Sequence, residues 1–182
     1  NAGWGSDDVL PFFKRAEDFA EGAIGEHGAG GEVRVESQRL RWDILDAIRD
    51  AAAEEGLPKR DDCTSSDDEA AGYFRVTQKK GRRWSAADAF LKPVLHRPNL
   101  KIQTHAHTSR ILFEGRRAIG VEYILNGAPK TVRAEGEVIL AAGAIGSPQL
   151  LEVSGIGDSK RLTDLGVSVI HHAPGVGENL QD

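Results

Sequence analysis

Histidine pairs are the residues of this chain whose spacing comes closest to that of a metal or acid–base site. His105 and His107 lie two positions apart, so on an extended segment both would face the same side, as paired metal ligands do. His171 and His172 are adjacent and would point to opposite faces of a strand. Because neither pair has a third ligand at a motif spacing, we predict no metal site at either.

Two further polar clusters are explained by ordinary local structure. Residues 61–69 are acidic and rich in hydroxyl groups, but they lack the glycine and the final glutamate of a calcium loop, so we predict a solvated loop. Ser85 precedes Asp88 by three residues, which is the pattern of a helix N-terminus. No base or oxyanion motif accompanies Ser85, and we therefore predict a helix cap and not a nucleophile.

One apolar stretch has the pattern of a ligand-binding turn. The run 138–142 predicts a strand buried on both faces, and Ser147 before Pro148 predicts a capped helix. Ala142 and Gly143 remove side-chain bulk where the strand ends, so the backbone there could approach a phosphate or a ring. Ligands bind at such carboxyl ends of strands. The same pattern also occurs where a strand and a helix only pack in an α/β core.

The rest of the chain divides into helical and extended patterns. Asp7 and Asp8 predict the start of a helix that runs to about Phe19, with Phe19 in its apolar stripe. The glycine-rich segment 22–31 follows no strand, so we predict a mobile surface loop. A second amphipathic helix is predicted over 38–55. Strands are predicted at 100–104, 109–113, 118–124 and 131–133, with a hairpin turn at Asn126-Gly127.

Composition and charge exclude several classes of protein. The 182 residues suffice for one domain with a sizeable core, and a formal net charge of −5 argues against a nucleic-acid surface, which needs a basic face. No apolar run approaches the ~20 residues of a membrane span. The single cysteine, Cys63, forbids an internal disulfide, so no oxidising compartment is required. The compartment stays open, with the cytoplasm favoured over secretion.

Residues 147–157 closely resemble the second signature of the glucose-methanol-choline (GMC) family of flavoenzymes, in particular its choline dehydrogenase-like members. Residues 174–182 resemble the family too, and the resemblance extends from Gly3-Trp4 to the end of the chain. It implies an α/β fold: part of a Rossmann-like FAD-binding domain with an attached antiparallel β meander and part of a substrate domain. We assign residues 1–78 to the helical region and part of the substrate domain, and residues 79–182 to the FAD-binding portion.

The resemblance also implies where FAD would be contacted. The run from 100 to 112 matches the segment whose backbone contacts the FAD adenine in this family, and the contact falls on Thr108, where the family usually has valine. A main-chain contact survives that change because it does not depend on the side chain. Thr108, Ala142 and Gly143 are therefore the predicted cofactor-binding residues.

Two parts of the family pattern have no match in this sequence, namely the glycine motif that holds the FAD diphosphate and the segment with the catalytic histidine. Together with the absence of an initial methionine, this implies an internal fragment of a longer protein. We expect missing N- and C-terminal segments, in one polypeptide or as separate chains, to be the partners of this piece. We also expect poor FAD binding by the isolated chain and no catalytic residue within it.

The implied function is that of an FAD-dependent oxidoreductase that takes a hydride from a small-molecule alcohol onto the flavin. Two alternatives stay open at this point: a lyase of the same family that keeps FAD without net redox chemistry, and a non-catalytic scaffold or binding fragment. The sequence names neither the alcohol nor the electron acceptor.

Overall fold

The computed structural model describes residues 2–63 and 69–181, and the chain divides into two compact units after Lys101. Both units mix helices with small β-sheets, as predicted for an α/β chain. None of the described helices has both the length and the apolar character needed to cross a membrane. Of the loop predicted at 61–69, residues 64–68 lie outside the described residues.

The first unit begins with helix α1 (Ser6–Ala16), which strand β1 (Glu17–Phe19) follows directly. Acidic residues in the first turn of α1 and basic residues in its last turn suit the helix dipole. The prediction that this helix runs to Phe19 is wrong at its end. Phe19 is only 4% exposed, but it is buried on a strand, because β1 pairs in parallel with β2 (Val33–Ser37).

A three-stranded sheet organises the first unit. Strand β2 lies in its centre, parallel to β1 and antiparallel to the short strand β3 (Arg75–Val76). Between β2 and β3 the chain forms helix α2 (Asp43–Glu54). This helix begins later than the predicted 38–55, because Trp42 has an extended backbone and the acidic side chains that favour a helix N-terminus start at Asp43.

A buried histidine organises the segment 22–31, which was predicted as a mobile surface loop. His27 is 5% exposed, and its ring stacks on Phe19 with the ring centroids 3.8 Å apart. Its Nδ1 lies 3.1 Å from a carboxylate oxygen of Glu17, and its Nε2 lies 2.9 Å from Oδ2 of Asp62. Because an ionised carboxylate can only accept, both ring nitrogens donate, and the imidazole is a cation held between two anions.

The pKa of His27 follows from these neighbours. Burial of the ring lowers the pKa, but the hydrogen bonds and charges of Glu17 and Asp62 outweigh burial and raise it above the ordinary 6.5. Glu17 also accepts the backbone N–H of Gly28 at 2.8 Å. A Cβ at Gly28 would lie 1.8 Å from the carbonyl oxygen of Lys14, so a larger residue beside the histidine would displace the backbone.

The first unit ends with a hairpin and a tight helical turn. Strands β4 (Gln78–Lys79) and β5 (Arg82–Arg83) pair in antiparallel fashion. Ser85 then donates its backbone N–H to the Asp88 carboxylate at 3.1 Å, and the Asp88 N–H donates to the Ser85 hydroxyl at 3.3 Å. The predicted capping role of Ser85 is therefore confirmed. Contacts from Lys92 and Ser85 hold the pKa of the Asp88 carboxyl well below its usual range.

The second unit contains the predicted antiparallel meander. Strands β6 (His107–Glu114), β7 (Arg117–Leu125) and β8 (Ala128–Arg133) lie side by side in chain order. Asn126 and Gly127 join β7 to β8 with φ angles of 53° and 76°, as a type I′ hairpin turn requires. The prediction of a meander with this turn is confirmed.

Two other predicted strands are not formed. Residues 100–104 belong to no described strand, and His105, with a φ of 55°, interrupts the extended chain before β6 begins. Residues 138–142 pair with none of the described strands either, and Ile139 is 81% exposed. An apolar run is suited to burial, but a strand also needs a neighbour for its backbone groups, and no described segment supplies one.

Helix α3 (Gly143–Val153) follows this segment and begins five residues before Pro148, where its start was predicted. The Ser147 hydroxyl accepts the backbone N–H of Ala142 at 3.1 Å, so it holds the turn before the helix and does not cap a helix beginning at Pro148. The helix therefore starts on glycine, at the residue where the extended segment ends.

Short elements close the second unit. Strand β9 (Ile156–Gly157) pairs in parallel with β10 (His171–His172), and helix α4 (Ser159–Asp164) lies between them in sequence. The Asp158 carboxylate caps α4 by accepting the N–H of Arg161 at 2.8 Å.

We expect the stability of the protein to depend on pH through His27. Because the pKa of His27 is higher in the folded protein than in the unfolded chain, its stabilising effect is fully present below about pH 6.5 and is lost as the pH rises through the raised value. His27→Gln should lower the free energy of unfolding by about 1–3 kcal/mol at pH 6, because it leaves buried partners unpaired, and by less at pH 9. Urea unfolding of the full-length protein at both pH values measures this.

His96→Gln is the matched control, since His96 is an exposed histidine of the same unit. It should change the free energy of unfolding little at either pH. A loss of stability in His27→Gln that is equal at pH 6 and pH 9 would contradict the conclusion that His27 is a cation held between Glu17 and Asp62.

Candidate cofactor-binding site

A cleft of about 670 Å³ in the second unit brings two of the sequence-predicted segments together. Residues 106–109 and parts of the meander form one part of its lining, and residues 138–142 with one face of α3 form the other. Thr108 and Ala142, 34 positions apart in the sequence, both line it. Gly143 is the next residue and begins α3, but it is not among the lining residues.

The lining of the cleft carries no Asp, Glu, Lys or Arg among the described residues. Its polar side chains are those of His107, Thr108, Ser109 and Gln149, and most of the remaining lining is aliphatic. Such a wall suits a planar heterocycle that needs a few hydrogen-bonding groups, because apolar surface buries the ring faces and the polar groups fix its orientation.

A β-bulge shapes the strand that carries Thr108. Thr108 pairs with Tyr123, and Arg110 pairs with Glu122, so Ser109 is an extra residue with no partner position on β7. Bulges bend a strand and re-aim its side chains. The Ser109 hydroxyl donates to a Glu122 carboxylate oxygen at 2.9 Å, which holds the bulge in place.

An ion pair between Arg110 and Glu122 lies beside the bulge. Arg110 donates to Glu122 at 3.0 Å, and the hydrogen bonds from Arg110 and then Ser109 lower the pKa of the Glu122 carboxyl. Glu122 therefore stays ionised and keeps its bond to the bulge at neutral pH.

Gly143 occupies a conformation that suits glycine. Its φ is 83°, in the left-handed region, and a Cβ added there would meet no atom of the described residues within 4 Å. None of the described residues packs against this position. The alternative that Gly143 is a core glycine packed against a neighbouring element therefore gains no support. The glycine instead leaves open space at the start of α3.

The histidine pairs considered above do not assemble into a site among residues 2–63 and 69–181. His105 precedes β6 with a left-handed φ, whereas His107 lies on β6 and lines the cleft. The His171 ring lies 3.1 Å from the Arg116 guanidinium. No group of three or more His, Cys, Asp or Glu side chains that could hold a metal ion occurs in the described part of the chain.

His172 makes a different contact. Its Nδ1 accepts the backbone N–H of Ser159 at 3.1 Å and lies 2.9 Å from the Ser159 hydroxyl. The ring therefore binds the first turn of α4, and this contact is a capping interaction near the chain surface.

Several features of the two units, considered separately, were not predicted from the sequence. The extra position of Ser109 is a property of the strand register, which no local pattern indicated. Ser154 is buried, and its only sequence signal is its place within the family-like stretch 147–157. The buried bridge at His27 was hidden by the glycines around it, which predicted a loop without a fixed structure.

Comparison with known proteins supplies a match along the whole chain. Residues 1–182 match the family model described as GMC oxidoreductase. The chain is 44% identical over 180 residues to the mitochondrial choline dehydrogenase of Homo sapiens, an alignment that covers 99% of the chain and 30% of that relative. It is also 44% identical over 181 residues to the oxygen-dependent choline dehydrogenase of Pectobacterium carotovorum subsp. carotovorum, covering 98% of the chain and 32% of the relative.

A solved structure extends this likeness to the fold. An FAD-dependent oxidoreductase from Chaetomium thermophilum matches 100% of the chain and 34% of its own length, with a TM-score of 0.92 and 33% sequence identity. The chain thus spans about a third of the length of the curated relatives it matches.

We expect Gly143→Val in the full-length protein to expel the cofactor while leaving the fold intact. A valine there would occupy the open space at the start of α3 and would also strain a left-handed φ, at roughly 1–2 kcal/mol. The flavin-to-protein absorbance ratio after gel filtration, with circular dichroism as the measure of folding, tests this.

Gly166→Val separates backbone strain from loss of cofactor space. Gly166 has a φ of 73° and, like Gly143, no described atom within 4 Å of an added Cβ. It follows α4, and neither of its chain neighbours lines the cleft, whereas Gly143 directly follows the lining residue Ala142. This variant should lose similar stability and keep its flavin. Equal flavin content in the two variants would count against a cofactor near Gly143.

Proposed function

The chain belongs to the GMC oxidoreductase family, and from this membership we propose that the full-length protein oxidises an alcohol with FAD as its cofactor. The observation that carries the proposal is the family match over residues 1–182, because it includes both segments that line the cleft. The predictions of the family and of an α/β, FAD-binding type of fold are confirmed.

FAD is the cofactor indicated by the family and by the FAD-dependent oxidoreductase of similar fold. The cleft fits one end of this molecule, since its uncharged walls suit an aromatic ring and its volume of about 670 Å³ accommodates one. We propose that the backbone at Thr108 contacts the adenine, and that Ala142 and Gly143 leave room for the cofactor to pass the start of α3. When bound, FAD would supply the hydride acceptor.

The role of this chain in the reaction is then one of positioning. The meander and α3 hold the adenine end of FAD, and the N-terminus of α3 favours negative charge nearby, as on a phosphate. We keep the proposal that residues 79–182 belong to the FAD-binding portion and that residues 1–78 contribute a helical region and part of a substrate domain. The remaining segments of the protein would supply the proton acceptor.

Choline is the first substrate to test. Two relatives at 44% identity are named choline dehydrogenases, and one of them is named oxygen-dependent. These names support an amino alcohol as substrate. They do not favour the lyase alternative, and no described feature favours a non-catalytic scaffold.

We expect choline to bleach the visible flavin absorbance when it is mixed with the full-length protein under anaerobic conditions. A tertiary alcohol is the matched control, because it has no hydrogen on the carbinol carbon and so cannot give a hydride. If the protein binds FAD but no primary or secondary alcohol reduces it, the lyase alternative gains support. A purified protein without FAD would contradict the proposal.

We also expect that none of the six histidines of this chain is the general base for alcohol oxidation. His27 has both ring nitrogens bound to carboxylates, and His172 contacts the start of α4, so neither ring is arranged to take a proton from a substrate. Each histidine is replaced by alanine in the full-length protein, and the anaerobic rate of flavin reduction is measured on variants that retain FAD. A loss of about 10²–10⁴ at any one position would identify a base and overturn this expectation.

A further inference from the structure

Ser154 joins the two structures that form the cleft. It lies at the end of α3 and is 8% exposed. Its hydroxyl donates to the carbonyl of Leu150 at 2.5 Å and accepts the backbone N–H of Ile111, on β6, at 2.8 Å. One hydroxyl group therefore serves at once as the donor to the helix and the acceptor from the strand.

The bond to Ile111 matters because β6 is an edge strand. Among the described strands only β7 pairs with β6, so the other edge of β6 has no strand neighbour there. Ile111 is 7% exposed, and the hydrogen bond from its N–H to Ser154 is buried. Without the Ser154 hydroxyl, this donor would be buried and unpaired. The bond thus fixes the edge of β6 against α3 only three residues from Thr108.

The residue that follows Ser154 is also held in place. Its neighbour Gly155 has a φ of 91°, and a Cβ there would lie 2.4 Å from the carbonyl oxygen of Ser168. The Gly155 carbonyl accepts the N–H groups of Ile170 and His171 at 2.8 and 3.1 Å. These contacts hold the residue after Ser154 against the segment that leads into β10.

We propose that Ser154 is a positioning residue for the adenine end of FAD. It sets the distance between the backbone at Thr108 and the face of α3 and thereby fixes the width of the cleft. This inference rests on the proposed function, since it takes FAD as the molecule in the cleft. Ser154 acts through β6 and lies outside the lining itself.

Ser154→Ala in the full-length, flavin-free protein tests the proposal, with FAD and ADP as the probes. ADP carries only the adenine end, so it reports on the cleft without the flavin ring. We expect the dissociation constants of both ligands to rise by about tenfold or more, and by a similar factor, because the strand that contacts the adenine loses its anchor.

Thr163→Ala is the matched control. The Thr163 hydroxyl donates to the carbonyl of Ser159, four residues earlier, just as the Ser154 hydroxyl does to Leu150. Unlike the Ser154 hydroxyl, it accepts no N–H from any of the described strands. The affinities for FAD and ADP should stay near those of the unaltered protein. Thermal unfolding of each flavin-free variant shows what part of any effect is loss of stability.

The outcomes distinguish a failure of the proposed function from a failure of the role of Ser154 alone. If the unaltered protein binds neither FAD nor ADP, the proposed function fails and the role of Ser154 fails with it. If the unaltered protein binds both and Ser154→Ala lowers only the unfolding temperature, Ser154 is merely structural and the positioning role is overturned. Weaker FAD binding with unchanged ADP binding would overturn it as well.

Amide hydrogen exchange on the unaltered protein keeps the proposal testable if Ser154→Ala does not fold. ADP should slow exchange at Ile111 and along residues 107–111, while exchange in α4 should stay the same. Unchanged exchange along 107–111 in a protein that binds ADP would contradict the proposal.

Discussion

Buried backbone N–H groups at the edges of small sheets constrain both units of this protein. Such a donor must find an acceptor, and where no strand supplies one, a side chain must do so. In the second unit the acceptor for Ile111 is the hydroxyl of Ser154, 43 positions away in the sequence. In the first unit the acceptor for Gly28 is the carboxylate of Glu17. The cleft and the loop around His27 both depend on these side-chain acceptors.

The bridge at His27 shows how charge can order a segment that has little else to hold it. Glycines make the backbone of 22–31 permissive, and such a segment loses much conformational entropy when it is fixed. Two carboxylates bound to one imidazolium, with Phe19 stacked on the ring, supply the compensating interaction. The Arg75 guanidinium lies over the Phe19 ring, with its central carbon 5.1 Å from the ring centroid. A second cation thereby extends the cluster.

The proposed FAD site combines the uncharged walls of the cleft with the glycine turn that begins α3. The side chains that line it carry no formal charge from Asp, Glu, Lys or Arg in the described part of the chain, which suits a ring. The open space at Gly143 adjoins the N-terminus of α3, where the helix dipole favours negative charge. A dinucleotide carries both an aromatic ring and negatively charged phosphates. The uncharged walls and the helix N-terminus beside them are the physical basis of the proposed FAD site.

The sequence by itself determined the elements whose signals are local. The Asn126-Gly127 turn, the cap at Ser85 and the central parts of the meander strands were predicted, because turn chemistry and alternation act over a few residues. The family resemblance likewise depended on a contiguous pattern. It predicted the α/β class and the cofactor, but the contacts that it assigned to Thr108, Ala142 and Gly143 remain proposals.

Only the tertiary structure decided the features that depend on distant partners. The apolar run 138–142 was suited to a strand, yet no described strand pairs with it, and α1 ended early because Glu17 and Phe19 joined a sheet. The amphipathic patterns of α1 and α2 predicted helices, but large apolar side chains on both remain exposed, Phe13 at 69% among them. A pattern states which face is apolar and not what covers it. The bulge at Ser109, the bridge at His27 and the bond from Ile111 to Ser154 each join residues remote in sequence, and no local propensity encodes such a pairing.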